Sequence, residues 1–333
     1  MDNRYSRQLL YKNIGRDGQR LLGEKTAVIV GLGALGSLSS EMLARAGIGK
    51  LILVDRDYVE VTNLQRQTLY TEQDAAAQKP KAAAAHEQLS KINSSIDIES
   101  HIAHCDAVLL ESLAKDADII IDGTDNFDTR MLINDASFKL GIPWIYAACV
   151  EASYSSAAFI PGETPCFRCL TPVLPGATLT CDTAGIISPA VHMAVSQQVT
   201  TALKILTGQY SAPYHLHIGN VWDMDYMKID IGKMTETNCP TCQTRDFPEI
   251  SRTESNAMKF CGRDMIQVID ERLTENVVTA ALEQAGIEFK RTPYFIEFNY
   301  GDVRIVSFSN GRLLMHHVVN LNKARTIINQ LFG

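Results

Sequence analysis

The sequence predicts a Rossmann-like α/β fold with a mostly parallel sheet, followed by a small α+β module. Three observations support this fold class. Apolar runs of strand length alternate with helical stretches, a glycine-rich turn follows the first of these runs, and the composition changes after residue 242. Apolar strands that alternate with helices indicate a parallel sheet covered by helices on both faces.

The individual elements follow from hydrophobic periodicity and from the residues that end each run. Residues 1–25 are polar and amphipathic, and we expect them to be helical. Strands and helices then alternate, with strands expected at 27–30, 51–55, 117–122, 142–148 and 155–160 and helices at 37–46 and 80–92.

A later helix has clear start and stop signals. Ser188 is a good N-cap, and Pro189 suits the first helical position. Apolar residues then recur at helical spacing until Gly208 ends the run. Cys181 is therefore expected on the loop just before this helix.

Length and charge narrow the class of protein. The chain has 333 residues and a net charge of -7, and 46% of its residues are hydrophobic. The length suits one large domain and a smaller one, and a negative net charge argues against a nucleic-acid-binding protein. The first residues lack the apolar segment of a secretory signal, and no apolar run approaches the ~20 residues that span a bilayer. We expect a cytoplasmic protein with neither a membrane nor a nucleic-acid partner.

A domain boundary is predicted after the last Cys-x-x-C pair. The polar stretch TRDFPEISRTESNA is expected to be a linker between a first domain at residues 1–250 and a module at 255–333. Within the module, SNGR joins two β-rich runs and is a hairpin signal of the Asn-Gly type.

The glycine-rich turn predicts a nucleotide site. Gly31, Gly33 and Gly36 match G-x-G-x-x-G between a strand and a helix, where backbone N–H groups can approach phosphates. Asp55 follows 19 residues after Gly36, at the end of the next strand, where a carboxylate can bond ribose hydroxyls. The motif alone does not separate NAD from ATP.

The charges beyond Asp55 favour a triphosphate. Such a ligand needs basic side chains, together with carboxylates for Mg²⁺. Arg66 with Lys81 (or Lys79) can supply the cations, and Asp122 or Asp125 the metal ligand; each of them taken alone is better explained as a solvated loop charge.

The cysteines form two Cys-x-x-C pairs, Cys166 with Cys169 and Cys239 with Cys242. In a compartment that keeps thiols reduced, such pairs indicate metal binding or catalysis rather than disulfides. Four thiolates suit a closed, tetrahedral, structural Zn²⁺ site, and a redox pair is the alternative. Cys181 belongs to neither pair. Its position before a helix N-terminus makes it the best candidate nucleophile, and a bystander loop cysteine is the alternative.

Together, eight segments resemble the MoeB/ThiF family of sulfur-carrier adenylyltransferases, relatives of the ubiquitin-activating enzymes, in their bacterial thiazole or molybdopterin type. The segments occur in family order and cover residues 1–245. They are RYSRQ, GLGALG, DRDYVEVTNLQRQ, PKA, DGTDNFDTR, CFRC, LTCDTAGIISP and CPTC.

The resemblance implies a reaction and a partner. The family uses Mg·ATP to adenylate the C-terminal glycine of a ubiquitin-like sulfur carrier and releases pyrophosphate, for thiamine thiazole or molybdenum cofactor biosynthesis. It implies an ATP pocket formed by Gly31, Gly33, Gly36, Asp55, Asn63, Arg66, Gln67, Lys81, Asp125 and Asn126.

The resemblance also implies individual roles. Asp55 would hold the ribose, Asn63, Arg66 and Lys81 the phosphates, and Asp125 would lie at Mg²⁺ and the reacting carboxylate. Arg7 matches the arginine that reaches into the ATP site of a second subunit, which implies a homodimer. The catalytic set implied is Arg7, Arg66, Lys81, Asp125 and Cys181.

The remaining cysteines and the module are also assigned by resemblance. The two Cys-x-x-C pairs match the zinc ligands of the family. Cys181 matches a cysteine that joins the carrier in the thiazole branch and is less essential in the molybdopterin branch. The module at 255–333 resembles the short extension of some thiazole-type members and lacks a rhodanese active-site loop.

Two other functions are considered. An NAD-dependent oxidoreductase could use the same glycine turn, but no catalytic His or Tyr motif accompanies it. A non-catalytic binder of a ubiquitin-like protein would not need Asp125 and Arg66. The adenylyltransferase is therefore the preferred prediction.

Overall fold

The computed structural model describes residues 3–173, 184–252, 257–259, 265–270, 272–309, 311–318 and 320–332. The chain divides into two compact units, Met1–Arg252 and Thr253–Gly333. Each unit has its own sheet.

The first unit is built on an eight-stranded sheet. Its strands are β1 (Thr26–Val30), β2 (Lys50–Val54), β3 (Asp97–His101), β4 (Ile119–Asp122), β5 (Trp144–Val150), β6 (Ser153–Phe159), β7 (His215–Asn220) and β8 (Asp225–Asp230). Their order in the sheet is β3-β2-β1-β4-β5-β6-β7-β8. Strand pairs from β3 to β5 are parallel and those from β5 to β8 are antiparallel, so the prediction of a mostly parallel α/β sheet is confirmed.

Helices cover both faces of this sheet. They are α1 (Ser6–Leu9), α2 (Gly15–Leu22), α3 (Ala34–Ala46), α4 (Glu72–Ala76), α5 (Lys81–Ile92), α6 (Ala107–Ala114), α7 (Phe127–Leu140), α8 (Phe167–Leu170), α9 (Ser188–Leu206) and α10 (Pro248–Ser251). Helices α3, α5 and α9 pack on one face, and α6 and α7 pack on the other.

The central strands explain the continuous apolar runs in the sequence. In β1, Ala27 and Ile29 point into the core beneath α3, while Val28 and Val30 point into the core beneath α7. All four side chains are buried. A strand covered on both faces needs apolar residues at every position, which is why β1 shows no alternation.

The strand order creates a crevice beside β1. The chain leaves β1 towards α3 on one face and leaves the neighbouring β4 towards α7 on the opposite face. The connections therefore diverge at the carboxyl ends of these two strands. In open α/β sheets, ligands bind at such a switch point.

The strands β3, β7 and β8 were absent from the prediction, and β3 and β8 are the edges of the sheet. Five of the six residues of β8 are exposed, so the strand has no apolar face that a pattern could reveal. It is nevertheless paired with β7 along its whole length. Tertiary pairing, and not local sequence, specifies this edge.

The predicted helix near residue 188 exists, but its cap differs from the prediction. The residue at the N-cap is Ile187, and Ser188 is already helical, so the assignment of Ser188 as the cap is wrong by one position. Among the residues that the structure describes, no side chain caps this end, and Pro189 lies in the first turn, where a missing N–H costs little. The helix ends at Leu206, and Gly208 has a φ of 71°, which agrees with the predicted stop.

The second unit is a six-stranded antiparallel sheet with two helices. Its strands are β9 (Ala257–Lys259), β10 (Met265–Ile269), β11 (Phe289–Arg291), β12 (Phe295–Tyr300), β13 (Val303–Phe308) and β14 (Arg312–His316), and its helices are α11 (Glu275–Gln284) and α12 (Leu321–Phe332). The strand order is β11-β12-β13-β14-β10-β9. The antiparallel pairing of β13 with β14 confirms the predicted hairpin, and the sheet with its two helices confirms the α+β class of this module. No helix in the described ranges has the length and apolar character needed to cross a bilayer.

Candidate functional site

The glycine turn after β1 is shaped by close backbone packing. Gly31 has a φ of 84°, and a Cβ on it would lie 2.8 Å from the oxygen of Gly123. A Cβ on Gly36 would lie 1.8 Å from the oxygen of Gly31, so only glycine fits at either position. Gly33 is different, because the nearest atoms to a Cβ there would be 3.9 Å away. The backbone at Gly33 is thus open to a ligand at the N-terminus of α3.

Asp55 ties the glycine turn to the loop after β2. Its Oδ2 accepts the N–H of Leu32 at 2.6 Å, and its Oδ1 accepts the N–H of Asp57 at 2.6 Å. Burial raises the pKa of Asp55, while the neighbouring Lys81 ammonium acts in the opposite direction. Each oxygen accepts one of these backbone hydrogen bonds and has a second lone pair for a ligand hydroxyl.

Tyr70 is a residue of this site that the sequence analysis missed. Its hydroxyl donates to the oxygen of Leu32 at 2.8 Å, and its ring is buried. Burial and the nearby Asp55 charge raise the pKa of Tyr70, so the phenol remains a protonated donor. A tyrosine in a loop carries no periodic signal that could have identified it.

The structure separates the two lysines that the sequence left ambiguous. The Lys79 Nζ lies 2.7 Å from a Glu87 oxygen and 3.4 Å from an Asp74 oxygen, away from the glycine turn. Lys81 is the first residue of α5 and is buried. Its Nζ lies 3.8 Å from Asp57, on the side of Asp55. The geometry favours Lys81 as the cation of the site.

Asn63 and Arg66 lie on the loop after β2. Asn63 is buried and its Oδ1 accepts the N–H of Glu60 at 3.3 Å, so part of its side chain caps a short 3-10 turn. The Arg66 guanidinium donates to the backbone oxygen of Thr62 at 3.1 Å and is partly exposed. Arg66 therefore has donors that remain available to an anion.

Gln67 carries a buried acceptor without a donor. The residue is 4% exposed, and its Oε1 has no hydrogen-bond partner within the described ranges. Its Nε2 would lie 3.9 Å from a Cβ on Gly33. An unsatisfied buried oxygen next to an open glycine backbone is a feature expected of a site that holds a polar ligand.

The loop between β4 and α7 distinguishes its two aspartates. Asp122 is fully buried, and its Oδ2 accepts from Arg130 Nε at 2.9 Å. Its Oδ1 accepts from the N–H and the hydroxyl of Thr124 at 2.9 and 2.6 Å. Asp125 is exposed. Of the two carboxylates considered for a metal ion, Asp122 is committed to this ion pair and Asp125 faces outward.

Two further side chains fix the surroundings of this loop. Asn126 caps α7, because its Oδ1 accepts the N–H of Thr129 at 2.8 Å. Gln198 of α9 was missed by the sequence analysis. Its Nε2 donates to the backbone oxygen of Asp122 at 2.8 Å, and its Oε1 accepts from the Ser39 hydroxyl at 2.7 Å. Gln198 thus joins α9, the end of β4 and the helix that follows the glycine turn.

Arg7 lies far from the glycine turn of its own chain. Its neighbour Gln8 donates to the oxygen of Ala46, the last residue of α3, at 2.9 Å. The glycine turn is at the other end of α3, and a helix of 13 residues is ~20 Å long. An arginine side chain cannot span that distance, and Arg7 is exposed near the far end of α3.

The four cysteines of the two Cys-x-x-C pairs lie close together, as predicted. Their sulfur atoms all lie within 4.8 Å of one another. Cys166 Sγ is 3.8 Å from Cys169 Sγ and 3.5 Å from Cys239 Sγ, and Cys169 Sγ is 3.6 Å from Cys242 Sγ. A tetrahedral zinc with Zn–S bonds of about 2.3 Å places its sulfurs about 3.8 Å apart. The donor set and its spacing therefore fit a structural Zn²⁺ ion.

The surroundings of the cysteines also suit a metal ion. Burial raises the pKa of the Cys166 thiol far above its usual value and that of Cys169 to about 12. At these two positions, a thiolate needs a cation to offset its charge. Cys181, the predicted nucleophile, lies outside the described residues.

Comparison with known proteins identifies the family. A model of the ThiF family matches residues 5–244. The chain belongs to the ThiF family. The resemblance to the MoeB/ThiF family is confirmed, and with it the Rossmann-like class of the first unit.

Curated relatives within the ThiF family are adenylyltransferases. The sulfur carrier protein ThiS adenylyltransferase of Bacillus subtilis (strain 168) is 43% identical to this chain over 337 residues. The alignment covers the whole length of both proteins. The molybdopterin-synthase adenylyltransferase of Escherichia coli (strain K12) is 34% identical over 78% of this chain and 96% of its own length. The predicted enzyme class is confirmed by these relatives.

Solved structures show the same fold. Escherichia coli MccB with ATP is 25% identical, with a TM-score of 0.63 over 73% of this chain and 74% of MccB. The complex of MccB with MccA-N7isoASN has a TM-score of 0.64 at 26% identity, over 73% of this chain and 75% of MccB. A ThiF-like fold with ATP bound is thus known in a protein similar to this one.

Proposed function

We propose that this ThiF-family protein transfers AMP from Mg·ATP to the C-terminal glycine of a ubiquitin-like sulfur carrier and releases pyrophosphate. The observation that carries the proposal is the convergence of an open glycine turn, Asp55 and Asp125 at the carboxyl ends of β1, β2 and β4. The proposed ATP ligands lie in Met1–Arg252, so we assign the adenylation chemistry to this unit.

The first part of the proposal concerns ATP binding. Backbone N–H groups near Gly33 would bind phosphate at the start of α3. Asp55 would accept hydrogen bonds from the ribose hydroxyls with its remaining lone pairs. Gln67 would gain, from the bound nucleotide, the donor that its buried Oε1 lacks among the described residues.

The second part concerns the chemical step. The carrier carboxylate attacks the α-phosphorus, the bond from that phosphorus to the bridging oxygen breaks, and pyrophosphate leaves with the electron pair. No general base is needed, since the carboxylate is already ionised. Negative charge on the phosphate oxygens is offset by Arg66 and Lys81, with Asn63 as a further donor.

Asp125 is the residue that would hold Mg²⁺. It is exposed beside the switch point, and carboxylate oxygens are preferred ligands of this ion. When bound, Mg²⁺ supplies charge compensation for the phosphates. Asn126 contributes by capping α7, which fixes the backbone next to Asp125.

A homodimer would complete the site. Arg7 cannot reach the glycine turn of its own chain, because α1 is attached at the far end of α3. It is exposed and therefore available to a second copy. We propose that each subunit donates Arg7 to the ATP site of the other, where it adds a third positive charge.

The four cysteines are proposed to hold a structural Zn²⁺ ion. Four thiolates leave no coordination position for a substrate, so the ion would not take part in the reaction. Its function would be to join two segments of the chain whose nearer cysteines, Cys169 and Cys239, are far apart in sequence.

The thiazole-type carrier is the preferred substrate. The Bacillus subtilis relative that is similar over the full length, including the second unit, is named for the carrier protein ThiS. The molybdopterin-synthase adenylyltransferase covers only 78% of this chain. Cys181 stays the candidate nucleophile, and a cytoplasmic location remains part of the proposal.

Intact-mass analysis of the carrier tests the substrate. The protein is incubated with Mg·ATP, pyrophosphatase and either a thiazole-type or a molybdopterin-type carrier. We expect an AMP adduct on the thiazole-type carrier, and the same carrier lacking its final glycine serves as the control. An adduct on the molybdopterin-type carrier alone would reverse the choice, and no adduct on either would reject the substrate class.

The two alternative functions lack support. An NAD-dependent oxidoreductase has no parallel among these relatives, which are adenylyltransferases. A non-catalytic binder would require neither the exposed Asp125 carboxylate nor the cations Lys81 and Arg66. Neither is favoured by a specific observation.

A further inference from the structure

The cysteine cluster and the proposed nucleotide site share one helix, α7. The helix begins at Phe127, directly after Asp125 and Asn126, and ends at Leu140. Its N-terminal end belongs to the loop that would hold Mg²⁺. Its second half packs in the same core as three of the four cysteines.

A buried carboxylate on α7 contacts one residue inside each cysteine pair. Asp135 is fully buried, and its Oδ1 accepts from the Thr241 hydroxyl at 2.5 Å. Thr241 lies inside the second Cys-x-x-C pair. Arg168, inside the first pair, has its NH2 group 3.6 Å from the same Asp135 oxygen. The other oxygen accepts the N–H of Glu249 at 2.9 Å. One side chain of α7 therefore contacts residues between both sets of candidate metal ligands.

Phe167 makes a second connection, from the first cysteine pair to the middle and to the first residue of α7. Its N–H donates to Asn134 Oδ1 at 2.8 Å. Its ring lies 5.5 Å from the ring of Phe127, the first residue of the helix. Phe127 is two positions from Asp125, so packing reaches from the cysteine cluster to the proposed Mg²⁺ loop through a single aromatic contact.

We propose that Asp135 is a positioning residue that couples metal occupancy of the cysteine cluster to nucleotide binding. The proposal rests on the proposed function, since it requires ATP at the switch point. A bound metal ion fixes the two cysteine pairs relative to each other. The pairs then hold α7 through Asp135 and Phe167, and α7 fixes the loop of Asp125.

Thermodynamic linkage makes the proposal measurable from the metal side. If metal occupancy raises the affinity for ATP, then bound ATP must raise the affinity for the metal by the same factor. Couplings of this kind usually amount to about fivefold or more. Because any ligand of the folded state also stabilises a metal site that requires the fold, the coupling proposed here is the part of the ATP effect that depends on Asp135.

The test measures the zinc affinity of the protein by equilibrium competition with a chromogenic chelator, with and without saturating Mg·ATP. We expect ATP to raise the zinc affinity about fivefold in the natural protein, and to leave it unchanged in Asp135→Ala. Thr241→Val, which removes one hydrogen bond to Asp135, should show a smaller ATP effect and guards against misfolding of the first variant. Asp246→Asn, an exposed carboxylate near the second pair, is the matched control and should keep the full effect.

Each outcome is decisive. Equal zinc affinities with and without ATP, in a protein that binds ATP by titration, would overturn the coupling and leave the proposed function intact. Full retention of the ATP effect in both Asp135→Ala and Thr241→Val would overturn the role of Asp135. Failure of the natural protein to bind ATP would overturn the proposed function, and this proposal with it.

Discussion

Arg130 Nε donates to Asp122 Oδ2 at 2.9 Å, and the pair lies directly beneath the loop that carries Asp125. The same guanidinium donates to the backbone oxygens of Thr124 and Ala147 at 2.8 and 3.0 Å. It also lies 5.0 Å from the centre of the Tyr146 ring. This buried ion pair links the end of β4, the loop, β5 and α7.

Replacement of Arg130 should therefore lower the stability of the protein. We expect Arg130→Met to lower the free energy of unfolding by about 3–5 kcal/mol, because Asp122 remains as an unpaired buried charge. The double variant Asp122→Asn, Arg130→Met should lose less than the sum of the two single changes. Urea unfolding of the three variants measures the coupling, and additive losses would mean that the pair does not act as a unit.

The two lysines should respond differently to replacement. Lys81→Ala removes a buried cation at the proposed phosphate position, and we expect ATP–pyrophosphate exchange to fall ~100-fold. Lys79→Ala breaks only an ion pair with Glu87 and Asp74 and should cost less than about 1 kcal/mol of stability, with exchange retained. Steady-state exchange kinetics of both variants decide between them. A larger loss in Lys79→Ala would reverse the assignment.

Gln67 should show opposite effects on stability and binding. Gln67→Met has a similar shape but removes the buried Oε1 that has no partner among the described residues. The ligand-free protein should be unchanged or more stable by up to about 1 kcal/mol, since an unsatisfied acceptor is gone. ATP binding, measured by calorimetry, should be weakened. Unchanged affinity would show that Gln67 does not contact the nucleotide.

Arg7 provides a test of shared active sites. Arg7→Ala and Asp125→Ala should each be inactive in exchange. In an equal mixture of the two variants, about half the dimers contain one chain of each. If Arg7 acts in the partner subunit, such a mixed dimer has one intact site of two. About a quarter of the activity should therefore return. The control is the mixture of Asp125→Ala with Arg66→Ala. Each of these substitutions disables the site of its own chain, so a mixed dimer has no intact site. Recovery in this control, or none with Arg7→Ala, would rule out donation of Arg7 to the other subunit.

Much of the fold follows from local sequence. The buried strands β1, β2 and β4 are apolar at nearly every position, and the glycines at 31 and 36 are required by backbone contacts. The two Cys-x-x-C pairs can be seen directly in the sequence, and the prediction that they form one cluster is confirmed. These features were predictable because each one requires particular residue types: apolar residues in a buried strand, glycine in the tight turn and cysteine at the metal site.

The residues that were missed act through tertiary contacts. Tyr70, Gln198 and Asp135 are ordinary polar residues until the fold brings them to the glycine turn, the end of β4 and the cysteine pairs. The exposed strand β8 was missed for a similar reason, since only its pairing with β7 makes it a strand. Ser188 shows the limit of cap signals, because a good capping residue can equally occupy the first helical position.

The most direct test of the account is ATP–pyrophosphate exchange by the purified protein with Mg²⁺, in the presence and absence of a thiazole-type carrier. We predict exchange that requires the carrier and is lost in Asp125→Ala, although that variant still folds and retains the cysteine-bound metal. No carrier-dependent exchange, from a protein that contains zinc and binds ATP, would contradict the account.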